Sequence, residues 1–327
     1  MTNLNERPIF ILGAHKSGSS LVRSLLDGHP ELFVVPFETH FFQRSHYWVD
    51  YRLRRARPPR LSNRQAREEL TGQVERYNSI SDAMSDSNLV NRFDMPRFRQ
   101  TFSLDDQLPA DRLFLNYINA IHGSLLGQEL PADLRIVEKS VENAEFVLDL
   151  QQMFPGAKFI HVLRNPYANL VSLRRHVGRT GYPFLGPSLA SLNNSHYNLY
   201  RNHRLVDEYM ILRYEDIVSE PERSMRQVAD FLGIEFIDSL LEPTSMNRSW
   251  SGNSSRGIEF TGISSRNLNL WREEINSLEI DLINRLFDFL LEQYGYETIA
   301  SRRSRFLPNS GEGLRIYLLN RLIPFYM

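Results

Sequence analysis

The sequence predicts an α/β fold of three layers: a mainly parallel central sheet, helices on both of its faces and a helical insertion at one edge. Two observations carry that expectation. Five short apolar runs, at 9–12, 32–35, 134–137, 158–163 and 209–212, are each followed by a stretch of helical character. Runs this short, without polar alternation, suit strands covered on both faces, as in a parallel sheet packed between helices. The 327 residues include no cysteine, so a hydrophobic core must hold the chain, without a disulfide framework or a thiolate zinc site.

The first run, Ile9-Phe10-Ile11-Leu12, breaks at Gly13. The chain then passes a loop of small residues (Ala14, Ser17, Gly18, Ser19) and enters a helix with Leu21, Leu25 and Leu26 on one side. Strand, small-residue loop and helix start together make a phosphate cradle. Loop N–H groups converge on the anion, and the helix N-terminus adds roughly half a positive charge. Gly13 and Gly18 have P-loop spacing, so the expected fold is P-loop-like. A nucleoside-triphosphate loop, however, carries Lys and then Ser or Thr where this chain has Ser19 and Ser20. The loop's lysine is Lys16. The cradle, Lys16 to Ser20 with Ser17 and Gly18 between, therefore lacks the usual lysine–Mg²⁺ arrangement.

With its continuation LVRSLLDGHPELFVVPFETHFF, this loop resembles the 5′-phosphosulfate loop of sulfotransferases that use PAPS (3′-phosphoadenosine 5′-phosphosulfate). The likeness is greatest to the tyrosylprotein-sulfotransferase type and its bacterial relatives. After the second run come Glu38 and His40, at a strand end where open parallel sheets bind ligands. Either side chain could take a proton from an acceptor hydroxyl. The resemblance favours Glu38, whose Glu-Thr pair matches the family's base, and keeps His40 in reserve.

Residues 43–110 differ in character. Arginines crowd from Arg44 to Arg67, Pro58-Pro59 interrupts any helix, and helical pieces follow to about residue 102. This is read as an insertion on the acceptor side. A basic surface of Arg52, Arg54, Arg55 and Arg57 would suit an anionic acceptor such as an acidic saccharide or peptide; arginines on solvated helix faces are an equal reading. A core helix at 111–127 follows, with Leu113, Tyr117, Ile121 and Leu125 at helical spacing. The third run ends in Glu138-Lys139-Ser140. A lysine at this edge can neutralise the phosphate oxygen of a leaving group, and the resemblance gives Lys139 that role beside Lys16.

The fourth run closes at Arg164. Asn165 suits a helix cap, Pro166 the first helical turn, and Ser172 lies eight residues beyond the arginine. Sulfotransferases carry an arginine and a serine at this spacing, and the pair grips the 3′-phosphate of PAPS. The arginine fork can donate two parallel hydrogen bonds to such a group. A Gly-, Pro- and aromatic-containing loop at 178–186 is read as a gate near the acceptor. His196 and His203, on a helix at 189–207, are read as structural or solvated. Tyr214, after the fifth run, is either a support for the adenine or a core aromatic. A helix at 220–232 begins with Pro221 in its first turn. In the family, the Ser/Asn/Gly-rich loop beyond Pro243 closes over the 3′-phosphate end, and Asn253, Ser254, Ser255 and Arg256 are matched to it. Trp271 and a helix at 278–294 complete the domain.

The resemblance thus implies one sulfotransferase domain over 1–300 and a tail at 301–327. The tail would dock on its own fold, on a second subunit or on a membrane surface, with protein preferred. The implied reaction moves a sulfuryl group from PAPS, a co-substrate, to a hydroxyl or amine by in-line displacement, and requires no metal. Lys16 stands where tyrosylprotein sulfotransferases usually carry arginine, which withdraws the inference to protein tyrosine. The acceptor stays open among carbohydrate, peptide, lipid and small natural product.

A net charge of −1 makes no overall case for nucleic acid or an anionic membrane. The polar start MTNLNERP, and the lack of an apolar run of ~18 residues, give the expectation of a cytoplasmic, bacterial enzyme without signal peptide or membrane anchor. Oligomerisation is left open. Two other classes compete: an ATP-dependent phosphotransferase with an atypical P-loop, and a non-catalytic nucleotide-binding protein.

Overall fold

The computed structural model describes residues 3–45, 61–79, 89–102, 108–178 and 185–300, and the backbone alone at 49–50 and 55–56. All five apolar runs are strands of one parallel sheet: β1 (Ile9–Gly13), β2 (Leu32–Val34), β3 (Arg135–Lys139), β4 (Lys158–Leu163) and β5 (Tyr209–Arg213). Their order is β2-β3-β1-β4-β5. β1 is central and buried along its whole length. Successive strand side chains point to opposite faces, so its unbroken apolar run fills two cores. Phe10 and Leu12 join Phe114, Tyr117 and Ile118 of the helix Ala110–Leu126. Ile9 and Ile11 join Val22, Leu25 and Leu26 of helix α1 (Ser19–Leu26), with Val228 and Leu232 of the helix Pro221–Leu232. Each such side chain contributes roughly 1.5–3 kcal/mol on burial.

The chain runs from β1 to the edge strand β2, returns to β3 beside β1, then crosses to β4 and β5 on the other side. The direction of winding therefore reverses at β1, the position where such sheets open a crevice at their carboxyl ends. Register places Ile11 opposite Lys139 and Gly13 opposite Val162. The loops leaving β1, β3 and β4 consequently start side by side.

A third cluster, including Leu170, Leu192, Ile283 and Leu290, holds the helices Pro166–Val177, Leu185–Leu205 and Ser277–Gln293 together. Trp271 stacks on Tyr167 at 5.4 Å. Asn165 caps as expected, its Oδ1 accepting from the Tyr167 N–H at 3.0 Å. The second of these helices starts four residues before the expected 189, because Leu185 is itself a core residue.

The insertion has helices Phe41–Ser45, Asn63–Ser79 and Met95–Thr101. It is not purely helical: a two-residue antiparallel ribbon pairs Val49–Asp50 with Arg55–Ala56. Phe41, Phe42, Phe98 and Phe102 run into the core of the sheet, so this segment is packed as part of the domain. A second small ribbon, Thr244–Ser245 with Arg248–Ser249, opens the loop beyond Pro243. The expected basic surface at Arg52, Arg54 and Arg57, most of the gate and the whole tail lie outside the described residues, as does the side chain of Arg55. Among the described residues no helix is long and apolar enough to cross a membrane.

Candidate active site

A cavity of about 900 Å³ opens at the carboxyl ends of the strands. Among the described residues, eight lysines or arginines and three glutamates line it, a balance that suits an anionic ligand.

The first wall is the phosphate loop. Gly13 has φ +148°, and a Cβ there would meet Ser17 Oγ and the Val162 carbonyl oxygen at 2.7 Å. Gly18 has φ +102°, and a Cβ there would come within 2.3 Å of the Tyr214 ring. The two glycines are thus required by space as well as by backbone conformation. Lys16 takes a left-handed conformation (φ +64°), and its Nζ donates to the Asn253 carbonyl oxygen at 2.7 Å. Ser19 and Ser20 open α1 and line the cavity with Lys16 and Gly18. Ser17 departs from the expectation. Its side chain is buried beneath the loop and does not reach the cavity wall.

The second wall brings together three segments that are far apart in sequence. Arg164 donates from Nη1 to the Lys16 carbonyl oxygen at 2.9 Å, and its guanidinium lies 4.7 Å from the Tyr214 ring centroid. Its buried Nε–H has no partner among the described residues, so the arginine keeps a donor for an anion. The Ser172 hydroxyl lies 3.2 Å from that of Ser255, and the Asn253 amide donates to Ser20 Oγ at 3.2 Å. Ser254 and Arg256 also line the cavity. Arg256 is additionally held by an ion pair to Glu274 and a bond to the Leu270 carbonyl oxygen at 3.1 Å. Tyr214 lines the cavity and packs against the core of α1. Burial pushes its phenol pKa up, against the lowering influence of Arg164.

The third wall carries the reactive groups. Lys139 Nζ pairs with Glu38 Oε1, the lysine buried at the end of β3 and the glutamate 21% exposed. His40 Nε2 lies 3.4 Å from Glu38 Oε2. The turn bearing them is fixed from behind by Glu138, which is fully buried. Its Oε1 accepts from the Thr39 N–H at 3.2 Å, the Thr39 hydroxyl at 2.8 Å and the Ser140 hydroxyl at 2.6 Å. Desolvation raises the Glu138 pKa, and the hydrogen bonds from Ser140 and Thr39 oppose that. His40, at φ +47°, donates its N–H to Ser140 Oγ at 3.1 Å. Gln73 of the insertion donates to the Glu38 carbonyl oxygen at 2.7 Å.

Two residues here were not legible in the sequence. His15 Nε2 lies 3.0 Å from Glu142 Oε1, and His40 Nδ1 lies 3.7 Å from Glu142 Oε2. His15 belongs to the phosphate loop and Glu142 to the 3₁₀ turn after β3. Their only signal was position: both follow strand ends at the ligand-binding edge. Glu38, His40 and Glu142 bring potential ligand atoms within 4.8 Å of one another, and the Lys139 ammonium pairs with the same Glu38.

The sulfotransferase family model matches residues 8–238 of this chain, most of its length. The chain belongs to the sulfotransferase family. The matched stretch includes the phosphate loop, Glu38-Thr39, Lys139, the Arg164–Ser172 segment and Tyr214, and stops before Ser254. Among curated proteins, 98 residues are 34% identical to the omega-hydroxy-beta-dihydromenaquinone-9 sulfotransferase of Mycobacterium tuberculosis, covering 26% of this chain and 25% of that protein. A stretch of 101 residues is 30% identical to carbohydrate sulfotransferase 2 of Homo sapiens, covering 30% of this chain and 18% of that one. The chain thus aligns with a quarter or less of the length of these relatives.

Over the whole fold, the sulfotransferase domain of the Synechococcus PCC 7002 olefin synthase superposes with a TM-score of 0.56 at 21% identity, covering 91% of this chain and 97% of that one. The domain from the curacin biosynthetic pathway gives 0.55 at 18%, covering 90% and 99%. The three-layer P-loop-like fold is therefore that of sulfotransferases.

Proposed function

We propose that this protein transfers a sulfuryl group from PAPS to a hydroxyl or amine acceptor. The observation that carries the reading is the meeting of two anion-binding walls in one cavity. The phosphate loop and the α1 N-terminus suit the 5′-phosphosulfate, while Arg164, Ser172 and Ser255 suit a second, 3′-phosphate. The unpartnered Arg164 Nε–H and the Tyr214 ring closing on Gly18 fit a bound nucleotide with a 3′-phosphate.

In this reading Glu38 takes the acceptor's proton as its oxygen or nitrogen bonds to sulfur and the sulfur–oxygen bond to the 5′-phosphate breaks. Lys16, Lys139 and the loop amides stabilise the sulfuryl oxygens and the departing phosphate. Lys139 lies beside Glu38, so a single buried ammonium touches the base and faces the site where negative charge develops. The reaction as proposed needs no metal. We propose further that the acceptor is anionic, a saccharide or other metabolite. Arg44 and Arg76 support this, lining the cavity with Phe37 and Tyr77 on the insertion side.

Thermal shift with PAP, PAPS, ATP and AMP, each with and without Mg²⁺, tests the donor. The expected result is metal-free stabilisation by PAP and none by AMP. Stabilisation by ATP only with Mg²⁺, and none by PAP, would replace the proposal with a phosphotransferase. PAP binding with no transfer from labelled PAPS across an acceptor panel would leave a nucleotide-binding protein.

A further inference from the structure

Glu142, a residue outside the motifs of the phosphate loop and of the base, sits between two imidazoles at the reacting end of the cavity. We propose that Glu142 is the second station of a proton relay: it receives, through His40, the proton that Glu38 takes from the acceptor, while His15 holds it in place. This rests on the reading of Glu38 as the base.

Three separate elements build the arrangement: the phosphate loop supplies His15, the turn after β2 supplies Glu38 and His40, and the turn after β3 supplies Glu142. From Lys139 the groups alternate in sign capacity as Lys139, Glu38, His40, Glu142, His15, at 3.4 Å, 3.7 Å and 3.0 Å for the last three steps. The Glu142 side chain is 3% exposed, against 21% for Glu38, 26% for His40 and 24% for His15.

An ionised carboxylate only accepts hydrogen bonds, so Glu142 Oε1 takes the Nε2–H of His15, and the relay requires the Nδ1–H tautomer of His40, which stands between Glu142 at 3.7 Å and Glu38 at 3.4 Å. The lone pair on His40 Nε2 then faces Glu38 Oε2. When Glu38 becomes a neutral acid it can donate its proton to His40 Nε2, as the Nδ1 proton of His40 moves to Glu142 Oε2. One proton enters the imidazole and one leaves, so His40 ends neutral in its other tautomer. The 3.4 Å and 3.7 Å steps must both shorten to hydrogen-bond distance, the longer by about half an ångström or more, as catalytic contacts commonly do on loading.

Two physical terms drive the transfer. Neutral Glu38 would weaken its pairing with the buried Lys139 ammonium, and moving the proton on restores that ion pair. The proton comes to rest on Glu142, far more buried than Glu38, where loss of charge costs less. In the next step Glu142 returns the proton to His40 Nδ1 as the Nε2 proton of His40, a side chain 26% exposed, passes to water, which resets both groups.

The test uses the full chain, with PAPS as donor and water as the slow acceptor, reading PAP release. Glu142→Gln keeps the shape and cannot take the proton. Its kcat is expected to fall by roughly tenfold or more, with KM for PAPS and PAP affinity unchanged, and Glu142→Asp should recover part of the loss. In the PAP complex, imidazole ¹⁵N shifts should report the Nδ1–H tautomer for His40. PAP release by Glu142→Gln within about twofold of the native rate overturns the relay. So does a fall matched by lost PAP affinity, which would make the residue structural, or an Nε2–H tautomer at His40. Glu38→Gln in the same assay separates the two readings. If it keeps full release, the base assignment falls and the relay with it; if it is inactive and Glu142→Gln is not, the relay alone falls.

Discussion

In the proposed reading Arg164 performs two tasks with one guanidinium. Its Nη1 binds the Lys16 carbonyl oxygen, which holds the phosphate loop in shape, and its Nε–H is left for the ligand. Arg164→Ala is therefore expected to weaken PAP binding by about 2–5 kcal/mol, the range for truncating one side of a buried charge pair. Isothermal titration on a variant with native circular dichroism measures it, and unchanged affinity would place the 3′-phosphate elsewhere. Glu38 is the sharper case. Glu38→Gln keeps the shape and loses the basicity, so turnover should fall by roughly 10²–10⁴ with PAP affinity nearly constant. His40→Asn should cost less than Glu38→Gln. Steady-state kinetics that rank the two the other way would make the imidazole the base.

Among the elements, the Pro166–Val177 helix connects nucleotide binding to stability. One end presents Ser172 to Ser255. Further along, Arg174 Nε lies 2.8 Å from Oε1 of Glu279, a carboxylate with no solvent exposure. Glu279 also closes the capping box that starts the Ser277–Gln293 helix, with Asn276 Oδ1 accepting from its N–H at 3.0 Å. Removing the charge takes the buried counterion from Arg174, whose Nη2 keeps its bond to the Glu274 carbonyl oxygen, and weakens the reciprocal bond of the cap, in which the Asn276 N–H donates to Glu279 Oε2 at 3.1 Å. Glu279→Gln is expected to cost about 3–5 kcal/mol, read as a lower midpoint in urea unfolding. A midpoint within error of the native protein would mean that Trp271, Tyr167 and their apolar neighbours hold the two helices without help.

For the molecule as a whole, acid lability follows from two histidines behind the sheet. Burial lowers both His161 and His196 from the usual 6.5 to about 3, and His196 adds to the lowering at His161. His161 is bonded at 2.7 Å to the Tyr209 hydroxyl and lies 3.3 Å from the Ser195 hydroxyl; His196 packs edge-on against Phe287 at 4.8 Å. The folded protein keeps both neutral, whereas the unfolded chain takes up protons near 6.5. The unfolded state binds more protons between those values, so the histidines' contribution to stability is complete above about pH 6.5. It is lost progressively as pH falls towards about 3. A Tm series from pH 8 to 4 should fall on the acid side, and His196→Phe should flatten the slope. A slope unchanged in that variant would assign the lability to other groups.

What the sequence determined by itself is local in origin. Apolar runs marked all five strands, because a strand buried on both faces needs side chains of one kind over four to six consecutive positions. Gly13 and Gly18 marked the phosphate loop, because its backbone leaves no room for a Cβ. The Arg164-Asn165-Pro166 stretch marked a strand end, a cap and a helix start within three residues. The family resemblance added roles to residues already placed at strand ends.

The tertiary structure decided which of those ends face one another. Lys139 meets Glu38 across 101 residues of chain and Ser172 meets Ser255 across 83. Glu142 comes to lie between His15 and His40 because the order β2-β3-β1 sets three loops in a row. It also put the Ser17 side chain under its loop, away from the cavity the sequence reading gave it. Strand order and register are collective outcomes of packing both faces of the sheet at once, and no window of neighbouring residues contains them.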